Sequence, residues 1–167
     1  MKLKKLLVAF MAFSMLFAFA SCNSKQAEEN GEGSDYVDIY EKSNYGEDIE
    51  ILTEKERAYL LCDSFVSEVN SGGLESYFTT DYSRFCLEAA EYLENNNSVI
   101  YSQVLREAIS LFPESFDFSD PIKTEEYLDE NESILEKFDE LDSKIYDSDE
   151  DIDSILEKLK EETYNDR

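Results

Sequence analysis

The sequence contains no histidine and no tryptophan, and it is poor in proline, glycine and basic residues. Its 167 residues include two prolines and five glycines, and 15 Lys and Arg stand against 40 Asp and Glu. Without histidine the chain lacks the usual general base and the commonest zinc ligand. No glycine-rich phosphate loop and no nucleophile elbow occurs in it. We therefore assign no catalytic residue, no metal ligand and no cofactor, and we expect a protein that is not an enzyme.

The shortage of basic residues also excludes direct binding to nucleic acid. Removal of residues 1–21 takes away three lysines and no acid, which leaves 12 basic and 40 acidic residues and a net charge of −28. Phosphates and anionic lipid headgroups repel a chain of this charge. The charge favours basic proteins or cations as partners. The alternative is an acidic surface that only keeps the protein soluble.

The N-terminus has the layout of an export signal. Three lysines lie within the first five residues, and the following fifteen, Leu6 to Ala20, contain only Ser14 as a polar residue. As a helix this apolar stretch would reach roughly 22 Å, at about 1.5 Å per residue. A bilayer core is about 30 Å thick. We therefore interpret residues 1–21 as a signal peptide that is removed.

The end of this signal resembles the lipobox of bacterial lipoproteins. Its residues are Phe19-Ala20-Ser21-Cys22, and the resemblance implies cleavage before Cys22 and attachment of acyl chains to its thiol. We expect a lipid-anchored protein of the bacterial cell envelope, outside the cytoplasm. The stretch 26–29, Gln-Ala-Glu-Glu, is similar to a signal for the outer surface. The alternative is an ordinary signal peptidase, which would cut after Ala20 and release the protein.

The mature chain divides into a tether and one helical domain. Residues 22–50 show neither a helical nor a strand period, which is typical of a flexible acidic tether. From residue 51 to residue 167 the apolar residues recur at helical spacing, and no segment alternates like a strand. We predict an all-α domain, a single bundle of five or six helices.

Local signals set the expected helix ends. Thr53 and Glu56 form a capping box that begins one helix, and Gly72 and Gly73 end it in a tight turn. One long helix is expected from about residue 124 to about residue 146, and a last one from about residue 150, capped by Asp149. The acidic run 147–153 starts like an EF-hand loop. It lacks the required glycine and the final glutamate, so calcium is not favoured.

Cys62 and Cys86 lie on apolar positions of predicted helices. Two interpretations remain open for them. An oxidising compartment would allow the two to form a disulfide. Buried free thiols are the common alternative at such positions.

Three blocks of residues resemble one protein family. They span residues 70–78 (NSGGLESYF), 105–113 (LREAISLFP) and 138–146 (FDELDSKIY). Their order and spacing resemble the C-terminal domain family of the bacterial DNA-mimic proteins over about residues 60–160. The resemblance implies a small acidic all-helical domain. It also implies a DNA-binding protein as partner, engaged by acids that stand where DNA presents phosphates.

The acids that suit such mimicry lie on the long predicted helix. Glu132, Glu136 and Glu140 recur every four residues, about 6 Å apart along a helix axis, and with Asp139 they are the candidate partner-binding residues. We hypothesise a membrane-anchored, non-enzymatic module that binds a basic protein, such as a toxin or nuclease arriving from outside. The alternatives are a passive structural surface lipoprotein and a hydrolase that uses a carboxylate pair.

Overall fold

Helices account for the regular structure between residues 39 and 164, the part of the chain that the computed structural model describes. No β-strand occurs within these residues, so the predicted all-α class is confirmed. Two short 3-10 helices lie at Ile49–Ile51 and Asp81–Phe85. The seven α-helices are α1 (Ile39–Lys42), α2 (Glu54–Phe78), α3 (Cys86–Asn95), α4 (Val99–Ile109), α5 (Pro121–Asp129), α6 (Glu132–Tyr146) and α7 (Ile152–Tyr164).

The predicted signal peptide, Cys22 and residues 22–38 of the predicted tether lie outside the described residues. Within residues 39–164, no helix combines the length and the apolar composition needed to cross a membrane.

The capping box at the start of α2 is confirmed. The Glu56 backbone N–H donates to Thr53 Oγ1 over 3.3 Å, and the Thr53 backbone N–H donates to Glu56 Oε2 over 3.0 Å. Each residue thus satisfies a donor that the first helical turn leaves free. Lys42 Nζ lies 2.5 Å from the same carboxylate, which is only 3% exposed. Burial raises the pKa of Glu56, but the hydrogen bonds from Lys42 and Thr53 outweigh it and lower this pKa below its ordinary value.

Helix α2 changes direction at Gly72 and Gly73, as the sequence predicts for a glycine turn. Gly73 has φ +76° and ψ −170°, a conformation that essentially only glycine adopts. A Cβ atom here would also collide with the carboxylate of Asp142 on α6. Asp142 accepts a hydrogen bond from the Leu74 backbone N–H over 3.0 Å. The turn is therefore fixed by a side chain 68 residues away.

The core surrounds α2, which contacts α3, α6 and α7. At its C-terminal end, the Phe78 ring stacks on Phe138 of α6 with centroids 5.3 Å apart. Phe112 and Phe118 lie 5.1 and 5.5 Å from the same ring. These aromatic contacts join the end of α2 to α6 and to the segment that follows α4.

The prediction of a tether that extends to residue 50 is wrong at its C-terminal end. Ile39 and Ile49 are 0% and 1% exposed, and the segment between them forms α1 and a tight turn. Its apolar residues are too widely spaced to show a helical period. They are buried because the segment packs on α2, a contact that a local pattern does not reveal.

The predicted long helix from residue 124 to residue 146 is two helices. Asp120 caps α5 by accepting from the Lys123 backbone N–H, and Pro121 occupies the first turn. Helix α5 ends at Asp129, and Asn131 then donates from Nδ2 to the carbonyl of Tyr127 over 2.7 Å. The Asn131 side chain thereby satisfies a backbone carbonyl at the end of α5. Helix α6 starts afresh at Glu132.

Cys62 and Cys86 are free thiols, 0% and 1% exposed. Burial raises the pKa of each thiol to about 12. The structure therefore shows the buried free thiols and not the disulfide.

Candidate protein-interaction surface

Helix α6 separates its apolar and acidic residues onto two faces. Ile134, Phe138, Leu141 and Ile145 are buried, at spacings of three and four residues. The four candidate partner-binding residues of this helix are all exposed: Glu132, Glu136, Asp139 and Glu140. The structure thus brings them together on the solvent side of one helix, as the sequence predicts.

The exposed acids extend onto the preceding helix. Between residues 125 and 140, Lys137 is the only basic residue. We call this stretch the acidic segment. Its exposed carboxylates belong to Glu125, Glu126, Asp129, Glu130, Glu132, Glu136, Asp139 and Glu140. Because α5 ends before α6 begins, these acids lie on two helices. The regular spacing of four residues is limited to Glu132, Glu136 and Glu140 on α6.

Most of the candidate carboxylates of α6 form no salt bridge with a described residue. Lys137 Nζ lies 2.6 Å from Glu140 Oε2. No salt bridge of Glu132, Glu136 or Asp139 occurs within residues 39–164. An exposed lysine pair such as the one at Glu140 holds its carboxylate only weakly. Among the described residues, three of these four carboxylates are therefore unpaired, and the fourth has a weakly held partner.

Residues 50–164 match the family described as DMP19-like protein. This stretch covers more than two thirds of the 167 residues. The chain belongs to the DMP19-like family. The resemblance predicted over about residues 60–160 is therefore confirmed at the level of the family, which indicates an acidic protein of the DNA-mimic kind. No curated protein matches the chain, and no solved structure does.

One carboxylate of the DMP19-like domain has a strongly shifted pKa. Burial raises the pKa of Asp142 to about 6, and the hydrogen bond from the Leu74 backbone opposes this rise. Sequence reasoning missed this residue because Asp142 sits among other acids of α6 and its partner is distant. Its contacts are those of a residue that holds the glycine turn, since it touches Gly73 and Leu74.

The acids near the start of α7 also have structural partners in the DMP19-like domain. Glu150 accepts from the Ser98 hydroxyl and, over 2.8 Å, from the Ile100 backbone N–H. It thereby caps α4 from outside that helix. Asp151, and not Asp149, caps α7, because it accepts from the Ser154 backbone N–H over 3.1 Å. No group of three or more metal-ligating side chains occurs within the part of the chain described.

Proposed function

We propose that this protein is a membrane-anchored, non-enzymatic module that binds a basic protein through the carboxylates of α6. The observation that carries the proposal is the acidic segment, where eight exposed carboxylates stand against one lysine. Membership of the DMP19-like family supports the same class of partner. Preorganised carboxylates on a rigid helix attract a positive patch and fix its register.

The anchor is a second part of the proposal. Cys22 is the proposed lipid attachment site, and the resemblance of residues 19–22 to a lipobox supports it. Two or three acyl chains hold a protein stably on a membrane, whereas one chain does so only marginally. An envelope location would direct the acidic segment to basic proteins outside the cytoplasm, where chromosomal regulators are scarce.

The test is capture of a partner from envelope fractions at two salt concentrations. The triple variant E132Q/E136Q/E140Q removes three charges and keeps side-chain volume. The control D153N/E157Q/E161Q removes three exposed charges from α7. We expect the native protein to retain a basic protein at about 0.05 M salt and to lose it at about 1 M, where the Debye length is about 3 Å. The α6 variant should retain about tenfold less at low salt.

Two outcomes would refute the proposal. The first is retention of no basic protein at either salt concentration, which would favour a passive surface lipoprotein. The second is equal loss of the partner in the α6 and α7 variants. Equal loss would mean that net charge, and not the α6 surface, determines binding.

A further inference from the structure

A tyrosine is held exposed by an unusual turn after α1. Asn44, Tyr45 and Gly46 have φ values of +49°, +56° and +91°, and three such residues in succession are costly when two of them carry a Cβ atom. The turn is secured by the Tyr45 backbone N–H, which donates to the Tyr40 carbonyl over 2.7 Å. The Arg84 guanidinium donates to the Gly46 carbonyl over 2.6 Å. Tyr45 is nevertheless 65% exposed.

Gly46 lets this turn approach a second tyrosine closely. A Cβ atom on Gly46 would lie 2.8 Å from Cε1 of Tyr82, so any other residue here would force the Tyr82 ring to shift. The Tyr82 ring meets Tyr40 edge to face, with centroids 6.4 Å apart. The Tyr40 hydroxyl donates to Asp63 over 2.5 Å. The polar end of Tyr40 is thereby satisfied, and its ring is fixed against Tyr82.

The three tyrosines line a cleft of about 480 Å³. Its other walls include Glu68, Asp81 and Pro121. Glu68 is half-buried and accepts from the Ser76 hydroxyl over 2.9 Å, which orients its carboxylate. No lysine or arginine among the residues described lines the cleft. Arg84, in the adjoining pocket, lies over the Phe85 ring at 4.7 Å.

This combination suits a planar cation. Aromatic rings attract a cation to their faces, and arginine stacks on them more often than lysine does. Carboxylates accept the parallel N–H donors of a guanidinium, whereas a quaternary ammonium group has no donor to offer them. Burial raises the pKa of Tyr82, so its phenol stays neutral.

We propose that the cleft formed by Tyr40, Tyr45, Tyr82, Glu68 and Asp81 binds a guanidinium group, the side chain of an exposed arginine on a protein partner. This inference rests on the proposed function, since it names one side chain by which a basic partner is recognised. It adds a site that is separate from the α6 carboxylates in sequence and in chemistry. The tyrosines would select arginine, and the acidic segment would supply attraction with little selectivity.

The experiment titrates the full chain, purified in detergent, with N-acetyl-arginine amide. Because the chain has no tryptophan and eleven tyrosines, binding is followed as the change in total tyrosine emission that the three cleft tyrosines cause. N-acetyl-lysine amide and tetramethylammonium are the comparison probes. A single side chain should bind with a Kd on the order of a few millimolar. We expect the arginine probe to bind at least about threefold more tightly than either comparison probe.

Variants locate the binding within the cleft. Tyr45→Ala and Glu68→Gln should each weaken binding of the arginine probe about fivefold, because the first removes one aromatic ring and the second one charged hydrogen bond. Tyr45→Phe keeps the ring and should bind as the native chain does. Glu75→Gln and Tyr146→Ala are the matched controls, since both residues are exposed and neither lines the cleft. Far-UV circular dichroism checks that each variant is folded.

The inference is overturned if the arginine probe does not bind, if Tyr45→Ala and Glu68→Gln bind it as well as their controls do, or if tetramethylammonium binds equally well. The α6 variant E132Q/E136Q/E140Q separates the two proposals. If it loses the envelope partner and still binds the arginine probe, both stand. If it keeps the partner and the probe still binds, only the proposed function fails. If the native protein captures its partner but does not bind the arginine probe, only the proposed guanidinium site in the cleft is refuted.

Discussion

Replacement of Asp142 by Asn should stabilise the protein at neutral pH. The pKa of the Asp142 carboxyl is raised by burial to about 6 from an ordinary value of 3.8. The folded state therefore binds a proton more tightly than the unfolded state. The contribution of Asp142 to stability is greatest while its carboxyl is protonated and falls as pH rises from about 4 to about 6. Asn cannot ionise, and its amide oxygen can still accept from the Leu74 backbone N–H.

The size of the effect follows from the shift. Each pKa unit corresponds to about 1.36 kcal/mol, so the rise in the pKa of Asp142 would destabilise the folded state by about 3 kcal/mol at pH 7.5. Because Asp142 is half-buried, solvent screening reduces this to roughly half. We expect Asp142→Asn to be about 1.5 kcal/mol more stable than the native chain at pH 7.5. Roughly half of that gain should remain at pH 5, where the native carboxyl is largely protonated.

The assay is urea unfolding followed by circular dichroism between pH 5 and pH 7.5. The control variant is Asp139→Asn, which removes one exposed charge from the same helix. It corrects for the general repulsion within so acidic a chain. If Asp142→Asn is no more stable than this control at pH 7.5, or if its advantage does not grow with pH, the burial argument for Asp142 is refuted.

Three further predictions test other features. Gly73→Ala should lower the free energy of unfolding by about 3 kcal/mol, because it adds a strained backbone and displaces Asp142; a change in urea midpoint no larger than that of Ser71→Ala, at an exposed neighbour, would contradict this. Glu150→Ala should cost about 1 to 2 kcal/mol by removing the cap of α4, and the exposed neighbour Asp149→Ala should cost less in the same unfolding assay. Cys22→Ser should abolish incorporation of labelled fatty acid, and label that persists in the mutant would exclude the proposed anchor.

Sequence reasoning succeeded where a feature depends on neighbouring residues. The capping box needs only Thr53 and Glu56, three positions apart, and the apolar face of α6 repeats every three or four residues. Both are set by helix geometry, so the all-α class and the exposure of Glu132 follow from the order of residues. The glycine turn is predictable in the same way, because only glycine adopts its backbone angles.

Features that depend on distant residues were missed. Nothing near Glu150 in sequence indicates that it caps a helix that begins about 50 residues earlier. The break at Asn131 was missed because residues 124–146 keep a helical apolar period throughout, and a side-chain hydrogen bond to Tyr127 ends α5 regardless. The tyrosine cleft was missed because residues 39–50 were assigned to the tether. These residues are folded because they pack against α2.

The contacts of residues 40 and 42 have a mechanical consequence. Lys42 binds the carboxylate that begins α2, and Tyr40 binds Asp63 in the middle of that helix. A force applied along the backbone from the N-terminal side would reach these two contacts before it reached α2 itself. The pair would therefore yield first, and the bundle would bear the load only after the segment up to residue 52 had been pulled away. Stretching a single molecule from its N-terminus should accordingly give a small early extension before the main unfolding event, and in Lys42→Ala this early extension should occur at a lower force.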